Sequence, residues 1–356
     1  MMTSEESSNT GTMKALIMVD RDASWLRPLN NVFPQPLLEF ANKSMLEHQL
    51  DALVDAGVRQ VVIAVPYRAE EMEQEFKPYA ERKGVKLIFS QETEPLGTAG
   101  PMALARKYLE SDSEPFFVLN SDILCDFPFK DMVAFHKNHG GEGTIAVTKV
   151  EEPSKYGVVI YDQKGKVESF MEKPEEFVSN KINAGLYILN SKVLDRIEIL
   201  PASMEKEIFP MMASSQQLYA YELKGYWIDI GKQDILTGTC LYLQAERQNS
   251  ETKLKFRSEV GIVGNVLIDE SVKIGSNCHV GPSVTIGKDV IIGDNVCIKR
   301  CVILRGSKIG SNTWLEDCIV GVYCKIGQMV RMEKSVVPSQ NIITDNGVYV
   351  ILSSHK

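Results

Sequence analysis

The chain lacks any Cys-x-x-Cys pair, any apolar run of the roughly 18 residues a membrane helix needs, and any basic or apolar block among its first dozen residues. Its seven cysteines, Cys125, Cys240, Cys278, Cys297, Cys301, Cys318 and Cys324, are odd in number and spaced for neither zinc nor a disulfide framework. Reduced thiols and a cytoplasmic location are the expectation. Residues 1–12 are rich in Ser, Thr and Glu, which reads as a disordered polar extension and not as a signal or transit peptide. A net charge of −8 argues against a broad nucleic-acid surface, and no membrane partner is expected. What remains is an ordinary globular composition, 44% hydrophobic and 24% charged, over 356 residues, a length suited to about two domains.

A more telling absence is local. The strand-like run Lys14-Ala15-Leu16-Ile17-Met18-Val19 leads into Asp20-Arg21-Asp22-Ala23-Ser24-Trp25-Leu26-Arg27-Pro28, a stretch with no glycine. A loop between a first buried strand and a helix is where α/β proteins cradle phosphates with backbone N–H groups. Such loops use glycine so that the backbone can take positive φ and approach the ligand. This one carries two carboxylates flanking an arginine, with the bulky Trp25 behind them.

Short apolar strands then alternate with amphipathic helices. Strands are expected at Lys14–Val19, Gln60–Val65, Lys86–Phe89, Pro115–Leu119 and Gly143–Val147, and helices at Met45–Ala56, Ala69–Arg82, Ala99–Leu109 and Phe129–His136. That order predicts a mostly parallel sheet covered on both faces, with ligands at the carboxyl ends of the strands. The Asp20 loop and Asn120-Ser121-Asp122 would both lie at that edge.

After about Leu254 the period changes to six. Val260, Val266, Val272, Cys278, Val284, Val290, Val296 and Val302 mark one series, and Ile262, Ile268, Ile274, Val280, Ile286, Ile292, Ile298 and Leu304 follow it two positions later. Gly275, Gly281, Gly287 and Gly293 recur in register. This is the pattern of a parallel β-helix; the phase slips by one near Lys308, and Ile309 and Leu315 carry it on. The expected division is an α/β domain over 13–245, a hexapeptide-repeat β-helix over 246–336 and a tail over 337–356. Coil ends that need covering predict an oligomer.

Six blocks carry a resemblance. They are Glu92-Thr93-Glu94-Pro95-Leu96-Gly97-Thr98-Ala99-Gly100-Pro101, Phe117-Val118-Leu119-Asn120-Ser121-Asp122, Glu152-Pro153-Ser154-Lys155-Tyr156-Gly157-Val158-Val159, Glu172-Lys173-Pro174, Asn180-Lys181-Ile182-Asn183-Ala184-Gly185 and Trp227-Ile228-Asp229-Ile230-Gly231. With them, the chain resembles the sugar-1-phosphate nucleotidyltransferases with a hexapeptide-repeat tail, specifically the β-type mannose-1-phosphate guanylyltransferases. The resemblance implies a Rossmann-like α/β fold followed by a left-handed β-helix. It also implies that GTP and mannose 1-phosphate give GDP-mannose and pyrophosphate, with Mg²⁺.

By the same resemblance, Asp122 and Asp229 hold the metal, and Glu94, Pro95, Gly97 and Thr98 face the nucleotide. Gly157, Glu172 and Asn183 hold the sugar, and Lys173 meets its phosphate. Taken singly, Asp122 reads as a helix N-cap or turn residue, Asp229 as a turn residue, the Glu94 segment as a plain loop and the Glu172 segment as a surface turn.

The departures lie at the triphosphate. Where the family has Gly-Gly-x-Gly-Thr-Arg-Leu-Arg-Pro, the glycines are Asp20, Arg21 and Ala23, the first arginine is Trp25, and Arg27 is the residual cation. The lysine of the family's Pro-Lys-Pro is Gln35. Losing a charge-stabilising arginine in phosphoryl transfer costs about 10³–10⁵ in rate. Added carboxylates repel the triphosphate by roughly 1–4 kcal/mol per close pair. Two readings therefore stay open at this point: an impaired enzyme, or a non-catalytic paralogue that binds sugar nucleotide and assembles with an active guanylyltransferase subunit.

Overall fold

Every residue of the first strand, β1 (Lys14–Met18), is buried, as expected of a strand covered on both faces of a parallel sheet. The computed structural model that places it describes residues 13–20, 29, 34–110, 114–230, 235–250 and 252–350. After β1 come the two-residue strands β2 (Glu39–Phe40) and β3 (Lys43–Ser44), then α1 (Met45–Asp55), β4 (Gln60–Val65), α2 (Ala69–Lys83) and β5 (Lys86–Gln91). α3 (Gly100–Leu109), β6 (Phe116–Asn120), β7 (Ile123–Cys125), α4 (Phe129–His139) and β8 (Gly143–Lys149) follow. β9 (Gly157–Tyr161), β10 (Val167–Glu172), β11 (Lys181–Leu189), α5 (Phe209–Ser214), β12 (Leu218–Glu222), β13 (Trp227–Asp229) and α6 (Ile235–Gln248) complete this part. The alternation read from the sequence is present, with bounds within a few residues of those expected.

The chain forms two compact units: Met1–Arg21 with Gln49–Trp227, and Asp22–His48 with Ile228–Lys356. In the first unit the sheet order is β10-β9-β11-β6-β1-β4-β5, and β8 joins β11 to β12. β6, β1, β4 and β5 are mutually parallel, while β11 runs antiparallel to β6, β8 and β9. The sheet is therefore mixed, parallel at one end and antiparallel around β11. Leu16, Ile17, Val62, Phe116, Val118, Ile145 and Tyr187 are at most 1% exposed, each contributing about 1.5–3 kcal/mol by burial.

β11 is the strand that makes room for a site. Its first half, at Ile182, pairs with β9, and its second half, Leu186–Leu189, pairs with β6. Between them its register against β8 shifts, from Asn183 opposite Val147 to Tyr187 opposite Ile145. Gly185 lies in this bulge at φ +74°, where a Cβ would come within 2.9 Å of Asn120 Nδ2. Only glycine lets β11 pass the end of β6 there.

In the second unit, β2 and β3 form a hairpin whose Glu39 carboxylate accepts from the Arg305 guanidinium at 3.0 Å and from the Arg305 N–H at 3.3 Å. Asn42 Nδ2 donates to Ile286 O at 2.9 Å. The β-helix begins at Val266–Ile268 and stacks its strands in three parallel sheets. The first coil-to-coil step is 18 residues, Val266 to Val284, as three hexads demand. Later steps are 17, as in Val284 to Cys301 and Trp314 to Arg331. The shortening thus starts at the corner Lys299-Arg300-Cys301, earlier than the slip expected near Lys308. Arg300, Asp317 and Lys334, spaced by 17, all take left-handed φ (45°, 54° and 47°) and form a stack of tight corners. Arg300 binds Asp317 through Nε and Nη2, at 2.6 and 2.9 Å, and Glu316 through Nη2 at 2.8 Å. Ile309 and Leu315 are buried in the coil core, as the repeat requires.

Candidate functional site

Three strands of the first unit bring the expected sugar-side residues together. Gly157 opens β9 and stands opposite Glu172, the last residue of β10. A Cβ on residue 157 would meet Phe170 Cζ at 2.6 Å and Glu172 Oε2 at 2.9 Å, so the absent side chain is the space the carboxylate occupies. Glu172 pairs with the half-exposed ammonium of Lys173 at 3.4 Å. Lys173 itself takes a left-handed backbone (φ 47°), uncommon for a residue with a long side chain. Its N–H donates to Tyr156 O at 3.1 Å, which ends the strand pair.

Asn183 lies at the β11 bulge. Its Nδ2 donates to Tyr187 Oη at 2.8 Å, and its Oδ1 accepts from the Gly185 N–H at 3.0 Å, so both ends of the amide are fixed. Trp227 Nε1 donates to Ala184 O at 2.9 Å, and the Trp227 ring meets Tyr156 edge-on. Tyr187 is 1% exposed. Burial raises its phenol well above the usual range, and the negative charges of Glu205, Glu172 and Asp122 add to the effect. The buried hydroxyl therefore stays neutral, with the three carboxylates around it.

Asp122 is half-buried in the turn between β6 and β7, at the carboxyl end of the parallel strands. Asp20 is exposed two residues past the end of β1. β1 and β6 are paired with Met18 opposite Asn120, so both acidic residues lie at one sheet edge, as expected.

The Glu94–Thr98 loop is held from below. Ala99 N–H donates to Ala202 O at 3.0 Å, and Ala202 N–H donates to Leu96 O at 3.1 Å. Gly97, at φ +70°, has no room for a side chain: a Cβ would lie 2.3 Å from Ala202 O. Thr98 Oγ1 donates to Glu205 Oε2 at 2.6 Å and accepts from Met204 N–H at 2.9 Å, while Ser203 Oγ donates to the same Glu205 oxygen at 2.9 Å. Leu96 is buried, leaving Glu94, Pro95, Gly97 and Thr98 exposed around it. Tyr187, Ser203 and Glu205 were not singled out in the sequence. The signal that finds them is their convergence with Thr98 and Asn183, which is spatial.

Asp229 and Gln35 belong to the second unit. Asp229 is 6% exposed, a carboxylate held largely out of water. Gln35, in the helical turn Gln35–Leu37, is 1% exposed, and neither its Oε1 nor its Nε2 has a hydrogen-bond partner among the described residues. Arg21, Ala23, Trp25 and Arg27 lie outside the described residues. Among the described residues, no group of three or more His, Cys, Asp or Glu side chains is placed to hold a metal. No helix among them is long and apolar enough to cross a membrane.

Residues 14–245 match the nucleotidyl transferase family model, and residues 262–354 match the model described as the GMPPB C-terminal domain. The mannose-1-phosphate guanylyltransferase catalytic subunit beta of Drosophila melanogaster is 60% identical over 338 residues, covering 95% of this chain and 91% of its own. The protein of the same name from Danio rerio is 56% identical over 340 residues, 95% of this chain and 94% of its own. Among solved structures, HddC from Yersinia pseudotuberculosis superposes with a TM-score of 0.53 at 25% identity, over 65% of this chain and 97% of that one. The chain belongs to the nucleotidyl transferase family, in the group of mannose-1-phosphate guanylyltransferase β proteins.

Proposed function

We propose that the chain serves GDP-mannose synthesis, binding the sugar nucleotide through an intact sugar side while its own turnover is strongly reduced. The observation that carries this reading is the assembly around Tyr187, in which Gly157, Glu172 and Asn183 are fixed by packing and hydrogen bonds. Glu172 and Asn183 are polar groups of the type that accept and donate to sugar hydroxyls. Lys173 supplies the ammonium for the sugar phosphate. The exposed Glu94, Pro95, Gly97 and Thr98 face the base and ribose with their backbone.

In the reaction of this family, a phosphate oxygen of mannose 1-phosphate forms a bond to the α-phosphorus of GTP. The bond from that phosphorus to the β-phosphate oxygen breaks, and pyrophosphate leaves. Asp122 is the carboxylate of the first unit that we assign to a divalent cation, and Asp229, of the second unit, keeps the assignment the resemblance implies. Hard carboxylate oxygens of this kind would suit Mg²⁺. Such a cation, when bound, would offset phosphate charge.

Arg27 is the one arginine kept from the family's loop. Asp20 adds negative charge at the sheet edge, and Arg21, Ala23 and Trp25 replace two glycines and an arginine. Gln35 brings no charge where the family has lysine. The chain is read as cytoplasmic, and as a homo-oligomer or a hetero-oligomer with a related guanylyltransferase subunit.

A second reading is a wholly non-catalytic paralogue that regulates such a subunit. It is favoured by the buried Gln35 amide, which has no hydrogen-bond partner among the described residues. Calorimetric titration with GDP-mannose tests the shared part of both readings. Saturable binding that Glu172→Ala weakens at least tenfold is expected; equal binding by wild type and variant would overturn it.

A further inference from the structure

Asp122 sits on a turn of two residues, Ser121 and Asp122, between β6 and β7. So short a turn, once loose, would move its carboxylate directly. The turn is tied on three sides within the first unit. Ser121 N–H donates to Met18 O on β1 at 3.0 Å. The Asn120 side chain abuts the α-carbon of Gly185 on β11. The third tie is a side chain: Gln49 of α1 donates through Nε2 to Asn120 O at 2.7 Å and to Ile123 O at 2.9 Å.

We infer that Gln49 is a positioning residue that holds the Asp122 carboxylate for cation binding by clamping both carbonyls that flank its turn. The orientation of the amide is unambiguous, because its two partners are carbonyls and only an N–H₂ group satisfies both. Gln49 is fully buried in α1, so its amide has no exchange with solvent to compete with the two carbonyls. The clamp spends both hydrogens of the amide on the two ends of one turn, and the amide reaches neither Asp122 nor solvent. Such outer partners of metal-holding carboxylates set ligand orientation, and losing one lowers metal affinity about 10–100-fold. The inference rests on the reading of Asp122 as a metal-holding carboxylate.

The test uses full-length protein with GDP-mannose and Mn²⁺ as the paramagnetic probe. Gln49→Met keeps the length and removes both donors. Gln49→Glu keeps the shape and sets oxygen against both carbonyls, and serves if the first variant does not fold. Two quantities are read: Mn²⁺ affinity by electron paramagnetic resonance, and amide hydrogen exchange of peptides spanning residues 119–125. The expected result is a Mn²⁺ dissociation constant raised about 10–100-fold, with faster exchange confined to that turn. Unchanged exchange in the turn, or unchanged Mn²⁺ affinity while Asp122→Asn abolishes it, would overturn the role of Gln49. If Asp122→Asn binds Mn²⁺ as wild type does, the assignment of Asp122 itself fails, and the inference falls with it for that separate reason.

Discussion

Glu172 lays its carboxylate over the α-carbon of Gly157, with Oε2 2.9 Å from where a Cβ on residue 157 would stand. The Phe170 ring closes the same space at 2.6 Å, so a methyl group there displaces the ring, the carboxylate or both. Gly157→Ala should displace Glu172 from its position and weaken GDP-mannose binding at least tenfold. Overpacking of this kind costs about 1–3 kcal/mol, so the variant should remain folded. Titration calorimetry on the melting-checked variant reads the outcome, and undiminished affinity would remove Glu172 from the sugar side.

The loop into β8 is closed by a ring of hydrogen bonds with a pH dependence of its own. Gly141 N–H donates to His139 Nδ1 at 2.9 Å, and Asn190 Nδ2 donates to Gly141 O at 3.1 Å. These two bonds fix the rest: His139 Nε2–H donates to Thr144 Oγ1 at 2.7 Å, Thr144 donates to His136 Nδ1 at 2.9 Å, and His136 Nε2–H donates to Asn190 Oδ1 at 3.1 Å. The ring needs both imidazoles neutral. Burial lowers both, and the neighbouring His136 helps bring His139 from 6.5 to about 4. A folded value below the unfolded one means the contribution is complete above pH 6.5 and is lost as pH falls from there to about 4. For His139 it amounts to at most about 3 kcal/mol. Melting temperature measured from pH 7.5 to 4.5 should fall more steeply in wild type than in His139→Phe. Parallel curves would contradict the ring.

Gln35 is buried with neither end of its amide hydrogen-bonded among the described residues, a state that costs about 1–3 kcal/mol per group. Gln35→Met, similar in length and without polar hydrogens, should therefore raise the melting temperature by a few degrees. Gln35→Lys, the family's residue, should lower it in the absence of nucleotide, because it buries an unpaired charge. A thermal melt of both variants decides the matter, and a destabilised Gln35→Met would mean the amide has a partner in solution.

Much of the fold can be read in the sequence because its periods are physical. A six-residue repeat of two apolar positions, two residues apart, turns apolar side chains into the coil on every face, and Val266, Ile268, Val284 and Ile286 are all buried as that demands. The one-residue shortening at Arg300 precedes the visible slip near Lys308 because the apolar series stays nearly in phase across it, and a corner's φ leaves little trace in a charged residue. The motif residues of the sugar side, Gly157, Glu172 and Asn183, stand out because they lie in contiguous blocks. Gln49 and Glu205 do not, since each acts through a partner far along the chain: Gln49 reaches Asn120, 71 residues away, and Glu205 accepts from Thr98, 107 residues away. The Glu39–Arg305 pair joins positions 266 apart, so no local pattern could assign the β2–β3 hairpin to the β-helix unit.

The central claim is that the altered loop, and not the sugar side, limits turnover. The measurement that meets it is GDP-mannose and pyrophosphate formation from GTP, mannose 1-phosphate and Mg²⁺. Wild type is compared with a variant carrying Asp20→Gly, Arg21→Gly, Ala23→Gly, Trp25→Arg and Gln35→Lys together. The account predicts that the repaired protein turns over at least about 10³-fold faster, the scale set by one lost arginine. A wild type that already matches the repaired rate, or a folded repaired protein that stays silent, would contradict it.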